Sequence, residues 1–139
     1  MTYLLDANGL AALVIPQHEH HQRAHRFFSR RAFAVAPLTQ LALLQILSRP
    51  RRVKGQILPA LHTAAEALRL MRLLSHRRGA QFVPADLNCA GPMPFGAVTG
   101  HRQWNDFYLV ALAQKNGLML ATFDGALPVH FPEVCKLIP

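Results

Sequence analysis

Tyr3-Leu4-Leu5-Asp6 and Leu118-Met119-Leu120-Ala121-Thr122-Phe123-Asp124 each run through apolar residues and stop on an aspartate. A short apolar run of this kind reads as a strand buried on both faces, as in a parallel sheet covered by helices. In such sheets loops and helix N-termini converge at the C-terminal strand tips, so each run delivers a carboxylate to the edge that carries chemistry. A third acid, Asp106, opens the amphipathic stretch Asp106-Phe107-Tyr108-Leu109-Val110-Ala111-Leu112-Ala113, which reads as a helix. Carboxylates gathered in one place repel, and a divalent cation is the usual remedy. The pattern points to a metal-dependent enzyme acting on phosphate esters. It requires the first and last of these strands to be neighbours in the sheet. A cap or turn role is the competing reading for each acid taken singly.

Between the two runs, strands and helices alternate. Residues 9–14 form a short apolar helix, and Pro16 opens a second over 17–28 with Ala24, Phe27 and Phe28 as its buried stripe. A strand over 33–36 ends at Pro37, and Thr39 is placed to cap a helix that Ser48-Arg49-Pro50 stops. Gly55 and Pro59 leave 53–61 ambiguous, whereas 63–77 is helical by the spacing of Leu68, Met71 and Leu74, with Gly79 as C-cap. Residues 81–83 make a third strand, 87–100 a Gly- and Pro-rich loop over the site, and 134–138 an edge strand. Alternation of this sort predicts a three-layer α/β/α sandwich with a mainly parallel sheet, in one domain spanning 1–139.

The 139 residues are 51% apolar, which excludes general disorder, and no apolar run approaches the roughly 20 residues that span a bilayer. With no basic leader at the N-terminus, the expectation is a cytoplasmic protein without membrane association, and Cys89 and Cys135 read as plain thiols. Fifteen Lys and Arg against seven Asp and Glu give a net charge of +8. Arginine donates two parallel hydrogen bonds to a phosphate, so this balance favours nucleic acid as the partner. His18, His21 and His25 recur on one helical face, a spacing that suits zinc, but nothing nearby completes such a site. No glycine-rich phosphate loop follows a strand, and no Ser/His/Asp or Cys/His grouping offers a covalent nucleophile.

Leu4-Leu5-Asp6-Ala7-Asn8, Pro37-Leu38-Thr39, Gly100-His101-Arg102-Gln103 with Asp106, Tyr108-Leu109-Val110-Ala111-Leu112-Ala113, and Ala121-Thr122-Phe123-Asp124 occur in that order. Together they resemble PIN-domain proteins, specifically the VapC-type ribonuclease toxins of toxin–antitoxin pairs, over essentially the whole chain. The resemblance implies four acids lining one pocket, Mg²⁺ or Mn²⁺ as cofactor, RNA as substrate, a cognate antitoxin, and a homodimer. Asp6, Asp106 and Asp124 match three of the acids and would hold the metal; the fourth position, a Glu in the family, is Gln40 here. Asn105 stands where the family often has Thr and can still cap the helix. Asn8 and Thr122, each two residues from an aspartate, read either as hydrogen-bonding support for the acids or as ordinary turn residues. Arg102 with His101 reads either as a contact to substrate phosphate or as solvated loop charge.

An amide at position 40 keeps one carbonyl oxygen and loses a full charge. Two unit charges ~4 Å apart at an effective dielectric of ~20 interact by about 4 kcal/mol, so Gln40 predicts weaker metal binding or low activity without unfolding. Three readings stand side by side: an attenuated enzyme, a deliberate inactivating exchange, and a tolerated amide. The alternative function is a catalytically inactive protein of this type that binds RNA or sequesters antitoxin.

Overall fold

In the computed structural model, which describes residues 1–139, five strands lie parallel in the order β5-β2-β1-β6-β7. Chain order is β1 (Thr2–Leu5), α1 (Ala7–Val14), α2 (His21–Phe28), β2 (Ala32–Val35) and α3 (Pro37–Ser48). A hairpin, β3 (Arg51–Val53) and β4 (Gln56–Leu58), leads to α4 (Ala64–Ser75) and β5 (Ala80–Phe82). A long connection with a single 3-10 turn at Phe95–Ala97 precedes α5 (Trp104–Lys115), β6 (Met119–Thr122), α6 (Ala126–His130) and β7 (Cys135–Leu137). β1 is central. It pairs with β2 through Tyr3 opposite Phe33 and with β6 through Leu5 opposite Ala121. The first and last of the aspartate-tipped runs are therefore neighbours, as the acid-edge reading requires.

Strand alternation builds the layers. Leu5, Phe33, Val35 and Ala121 face one side, where Leu10, Phe27, Phe28, Leu43, Leu47 and Met71 from four helices pack on them. Leu4, Ala34, Ala36 and Leu120 face the other, against Phe107, Val110, Leu112 and Leu127. This period of two, with both faces covered, is why the strands read as unbroken apolar runs. Phe33, Leu10, Leu43, Leu47, Val110 and Leu112 are each within 1% of complete burial, and a Leu or Phe removed from water contributes about 1.5–3 kcal/mol. Three layers around a parallel sheet bear out the expected class.

Several local expectations are corrected. Residues 16–20 form turns, and α2 begins only at His21, because His18 turns its ring back to accept from the backbone N–H of His20. Thr39 is no cap: Ala36 precedes the helix, Pro37 supplies its first turn, and the buried Thr39 hydroxyl donates to the Leu5 carbonyl at 3.3 Å. The ambiguous stretch is the β3–β4 hairpin, turned by Lys54 at φ 50° and Gly55 at φ 76°. Two left-handed residues match the strand twist that a two-residue hairpin needs. α4 is capped by Thr63 and Glu66 in a reciprocal box, and it ends at Ser75, so Gly79 (φ 85°) turns the chain into β5 and does not cap. α5 starts two residues before Asp106. Gln103 is its N-cap residue, and Asn105 lies inside the first turn. No helix is long and apolar enough to cross a membrane. Both cysteines are free thiols, Cys89 exposed and Cys135 buried.

Candidate active site

Asp6 follows the last residue of β1 and is 5% exposed. Its carboxylate performs two tasks. Oδ1 accepts from the Gly9 amide at 2.7 Å, capping α1, and Oδ2 accepts from the Thr122 hydroxyl at 2.6 Å. The same hydroxyl oxygen accepts from the Asp124 amide at 3.0 Å. Thr122 thus ties the tip of β1 to the tip of β6. Gly9 is part of this arrangement, because a Cβ there would stand 2.9 Å from Asp6 Oδ1 and 3.2 Å from the Leu5 side chain. Burial holds the Asp6 carboxyl above its ordinary value, opposed by the Thr122 and Gly9 bonds and reinforced by the Asp124 charge.

Asp106 sits in the first turn of α5, at the favourable positive end of the helix. No protein group donates a hydrogen bond to it. Burial, then the charges of Asp6 and Asp124, push its pKa up to about 6. Asp124 is exposed, and its Oδ1 accepts from the Ala126 amide at 2.9 Å at the start of α6. The three acids therefore occupy one sheet edge and feel one another electrically. They do not close on a single point, and no three His, Cys, Asp or Glu side chains form a ready ligand set. Beneath them, burial pushes the Cys135 thiol up to about 12, with Asp6 and Asp106 adding to the rise, so it stays protonated and unreactive.

The donor set suits a hard cation. All candidate ligands are oxygens, Asp106 has every lone pair free, and each Asp6 oxygen keeps capacity beyond its one hydrogen bond. Mutual repulsion among the carboxylates is the term a divalent ion would relieve. Nitrogen or thiolate ligands, which softer metals favour, are absent from this set.

The remaining predicted residues divide. Thr122 is central, and Asn8 is exposed with its Oδ1 accepting from His18 Nε2 at 3.0 Å. Burial first, then His20, hold His18 below its ordinary pKa, so it serves as a neutral donor. His101 and Arg102 lie exposed in the turn before α5. Gln40 lies in the first turn of α3, just past the end of β2. It lines a cavity of about 60 Å³ with Phe33, Met71, Leu74 and Phe82, and makes no hydrogen bond to any of the three aspartates. His21 and His25 have a structural role, donating to the Ala12 and Leu13 carbonyls at 2.8 and 3.1 Å. These are orphan acceptors at the end of α1, so the spacing that suits zinc is used to cap a helix.

Residue patterns did not reveal an apolar groove of about 480 Å³ beside Asp106, lined by Leu38, Ala85, Cys89, Phe95, Trp104 and Tyr108. Trp104 is half exposed and packs edge-on against Phe95 at 5.3 Å. The long loop forms its wall, latched by Tyr108, whose hydroxyl accepts from the Leu87 amide and donates to its carbonyl. The signal that could have found the groove was a tryptophan next to Asn105, polar neighbours that leave an indole no core to enter.

Residues 3–135 match the family model described as the PIN domain. The chain is 38% identical to Ribonuclease VapC29 of Mycobacterium tuberculosis, covering all of this chain and 98% of that protein. It is 36% identical to Ribonuclease VapC39 of the same organism, over 91% of each. Among solved structures, VapBC2 from Rickettsia felis bound to a DNA fragment from its promoter superposes with a TM-score of 0.60 over both full chains at 12% identity, a likeness of fold.

Proposed function

The chain belongs to the PIN-domain family, and on that premise we propose that it is an endoribonuclease toxin of a toxin–antitoxin pair, hydrolysing RNA phosphodiesters in the cytoplasm. The observation that carries the reading is the acid edge: Asp6, Asp106 and Asp124 coupled electrostatically, with Asp106 raised to about 6. Asp6, Asp106 and Asp124 would hold the cation, Mg²⁺ or Mn²⁺. When bound, such an ion supplies charge neutralisation at the phosphoryl oxygens and a lower pKa for the attacking water. Thr122 keeps Asp6 fixed through its hydroxyl. Asp106, free of protein donors at the start of α5, would have a carboxylate oxygen to spare for orienting the attacking water. Arg102 and His101 meet the substrate phosphates. The groove at Trp104 accepts the antitoxin's apolar segment in the inhibited complex, which would cover the acids' flank. A second copy of the chain is the other proposed partner, supported by the exposed Phe82 on the open edge strand β5 and by the exposed Leu41 and Leu73 on α3 and α4.

One observation favours a second reading, an RNA-binding protein without useful catalysis: the amide Gln40 stands where the family has its fourth acid. Reduced activity through Gln40 rests on that missing charge. The test is cleavage of a labelled RNA pool by the protein, Gln40→Glu and Asp6→Ala, each with Mn²⁺, Mg²⁺ or EDTA. Metal-dependent cleavage that Asp6→Ala abolishes supports the nuclease. A gain of tenfold or more in Gln40→Glu would establish attenuation. RNA binding without cleavage by either form would retire the catalytic reading.

A further inference from the structure

At the sheet edge opposite the acids, where β2 and β5 begin, Arg30, Arg31, Arg77 and Arg78 line one concavity of about 460 Å³ with Ser29 and Gly79. The topology fixes this placement. All five strands are parallel, so the tips bearing Asp6 and Thr122 share one edge, and Ala32 and Ala80 begin at the other. Two of the guanidiniums are held in place. Arg31 donates to the Phe27 carbonyl at 2.8 Å and lies over the Phe27 ring at 4.4 Å, and Arg77 lies over Phe33 at 5.8 Å. Arg30 and Arg78 are exposed and make no hydrogen bond.

No carboxylate neutralises the group. The chain's three salt bridges are His20–Glu19, His62–Glu66 and Lys115–Asp86, and none involves an arginine. Four guanidiniums converging without a counter-charge repel, and an anion with several oxygens relieves the repulsion while accepting paired hydrogen bonds. Aliphatic or aromatic ligands would find only two apolar lining residues there.

We propose that this arginine cleft is a phosphodiester-binding site that holds the backbone of a nucleic acid strand at the sheet edge remote from the acids. It deepens the ribonuclease reading by giving the substrate a second hold, but stands on its own observation. A strand held at both edges is gripped over more length than the acid edge can span, since β1 alone is roughly 13 Å long. Backbone contacts of this kind fix position and carry no sequence information.

The test is binding of a labelled single-stranded RNA of about 20 nucleotides, and of DNA of equal length, to the full chain in EDTA across a salt series. Arg30→Gln with Arg78→Gln is compared with Arg69→Gln and Arg72→Gln, which removes the same charge from exposed positions on α4. The cleft variant is expected to lose affinity about tenfold and to flatten the log–log salt slope by about 1.4, with the α4 variant near wild type. Equal loss on RNA and DNA assigns the backbone phosphates, and loss on RNA alone narrows the ligand to ribonucleic acid. Equal loss in both variants, or none in the cleft variant, overturns the site. Cleavage of a dinucleotide in Mn²⁺ separates the readings. If wild type cleaves nothing while the cleft variant binds weakly, the cleft stands and the nuclease falls. If the cleft variant binds and cleaves as wild type does, the nuclease stands and the cleft falls.

Discussion

Asp106 is flanked by two other carboxylates and receives no protein hydrogen bond, so its ionisation costs folding energy. A folded pKa of about 6, above the ordinary 3.8, means the folded protein binds this proton more tightly than the unfolded chain. The penalty is absent below pH 4, grows through the interval, and is complete above about 6. Two units correspond to about 3 kcal/mol at most, and partial solvation reduces this to roughly 1–2 kcal/mol. Asp106→Asn should therefore be more stable than wild type by that amount at pH 7.5 in EDTA, with the gain gone at pH 4, as measured by urea unfolding. The same exchange should abolish metal-dependent cleavage. Gly9 presents the opposite case. A methyl group there meets Asp6 Oδ1 at 2.9 Å, so Gly9→Ala should cost about 1–3 kcal/mol and lower cleavage by displacing Asp6. A variant as stable and active as wild type would show that the start of α1 has room to shift.

α1 is eight residues long, too short to be stable alone, and its C-terminal carbonyls rely on imidazoles from α2. His21→Ala should destabilise by about 1 kcal/mol through the stranded Ala12 carbonyl, measured by denaturant midpoint, and added Zn²⁺ should not restore the loss. The strands were legible because burial on both faces writes itself as an apolar run, and the order of their aspartates carried the acid edge. What was not legible depends on contacts distant in sequence. Thr39 has the chemistry of a cap, but the Leu5 carbonyl, 34 positions away, claims its hydroxyl. The histidine face suits a metal until α1 folds back to supply acceptors. Gln103 turns its side-chain oxygen to the Thr99 and Gly100 amides, at 2.6 and 3.1 Å, which braces the loop and moves the helix start ahead of Asn105. Gln40 matches the family position by alignment of residues, whereas its orientation depends on α4 and β5.

Across the molecule, the acid edge and the arginine cleft lie at opposite ends of the strands, and the apolar groove opens beside Asp106. Trp104 is the chain's single tryptophan, and it is half exposed at the groove. Covering it with a partner's apolar segment should shift its emission to the blue, and Trp104→Ala should weaken that partner's binding by about tenfold or more, as buried aromatic anchors dominate interfaces. An unshifted spectrum on saturation would place the partner elsewhere. The sheet order carries one more consequence. β1 precedes the other strands of its sheet and sits at the centre, but β6, which closes its second side and supplies Thr122, follows far later in the chain, as do Asp106 and Asp124. During translation β1 keeps a bare edge until β6 has left the ribosome, and such long-range pairing forms late. A half-made copy has Asp6 but no partners for it. The acids can therefore meet only once the late strands have paired, so a partly made copy carries no assembled acid edge.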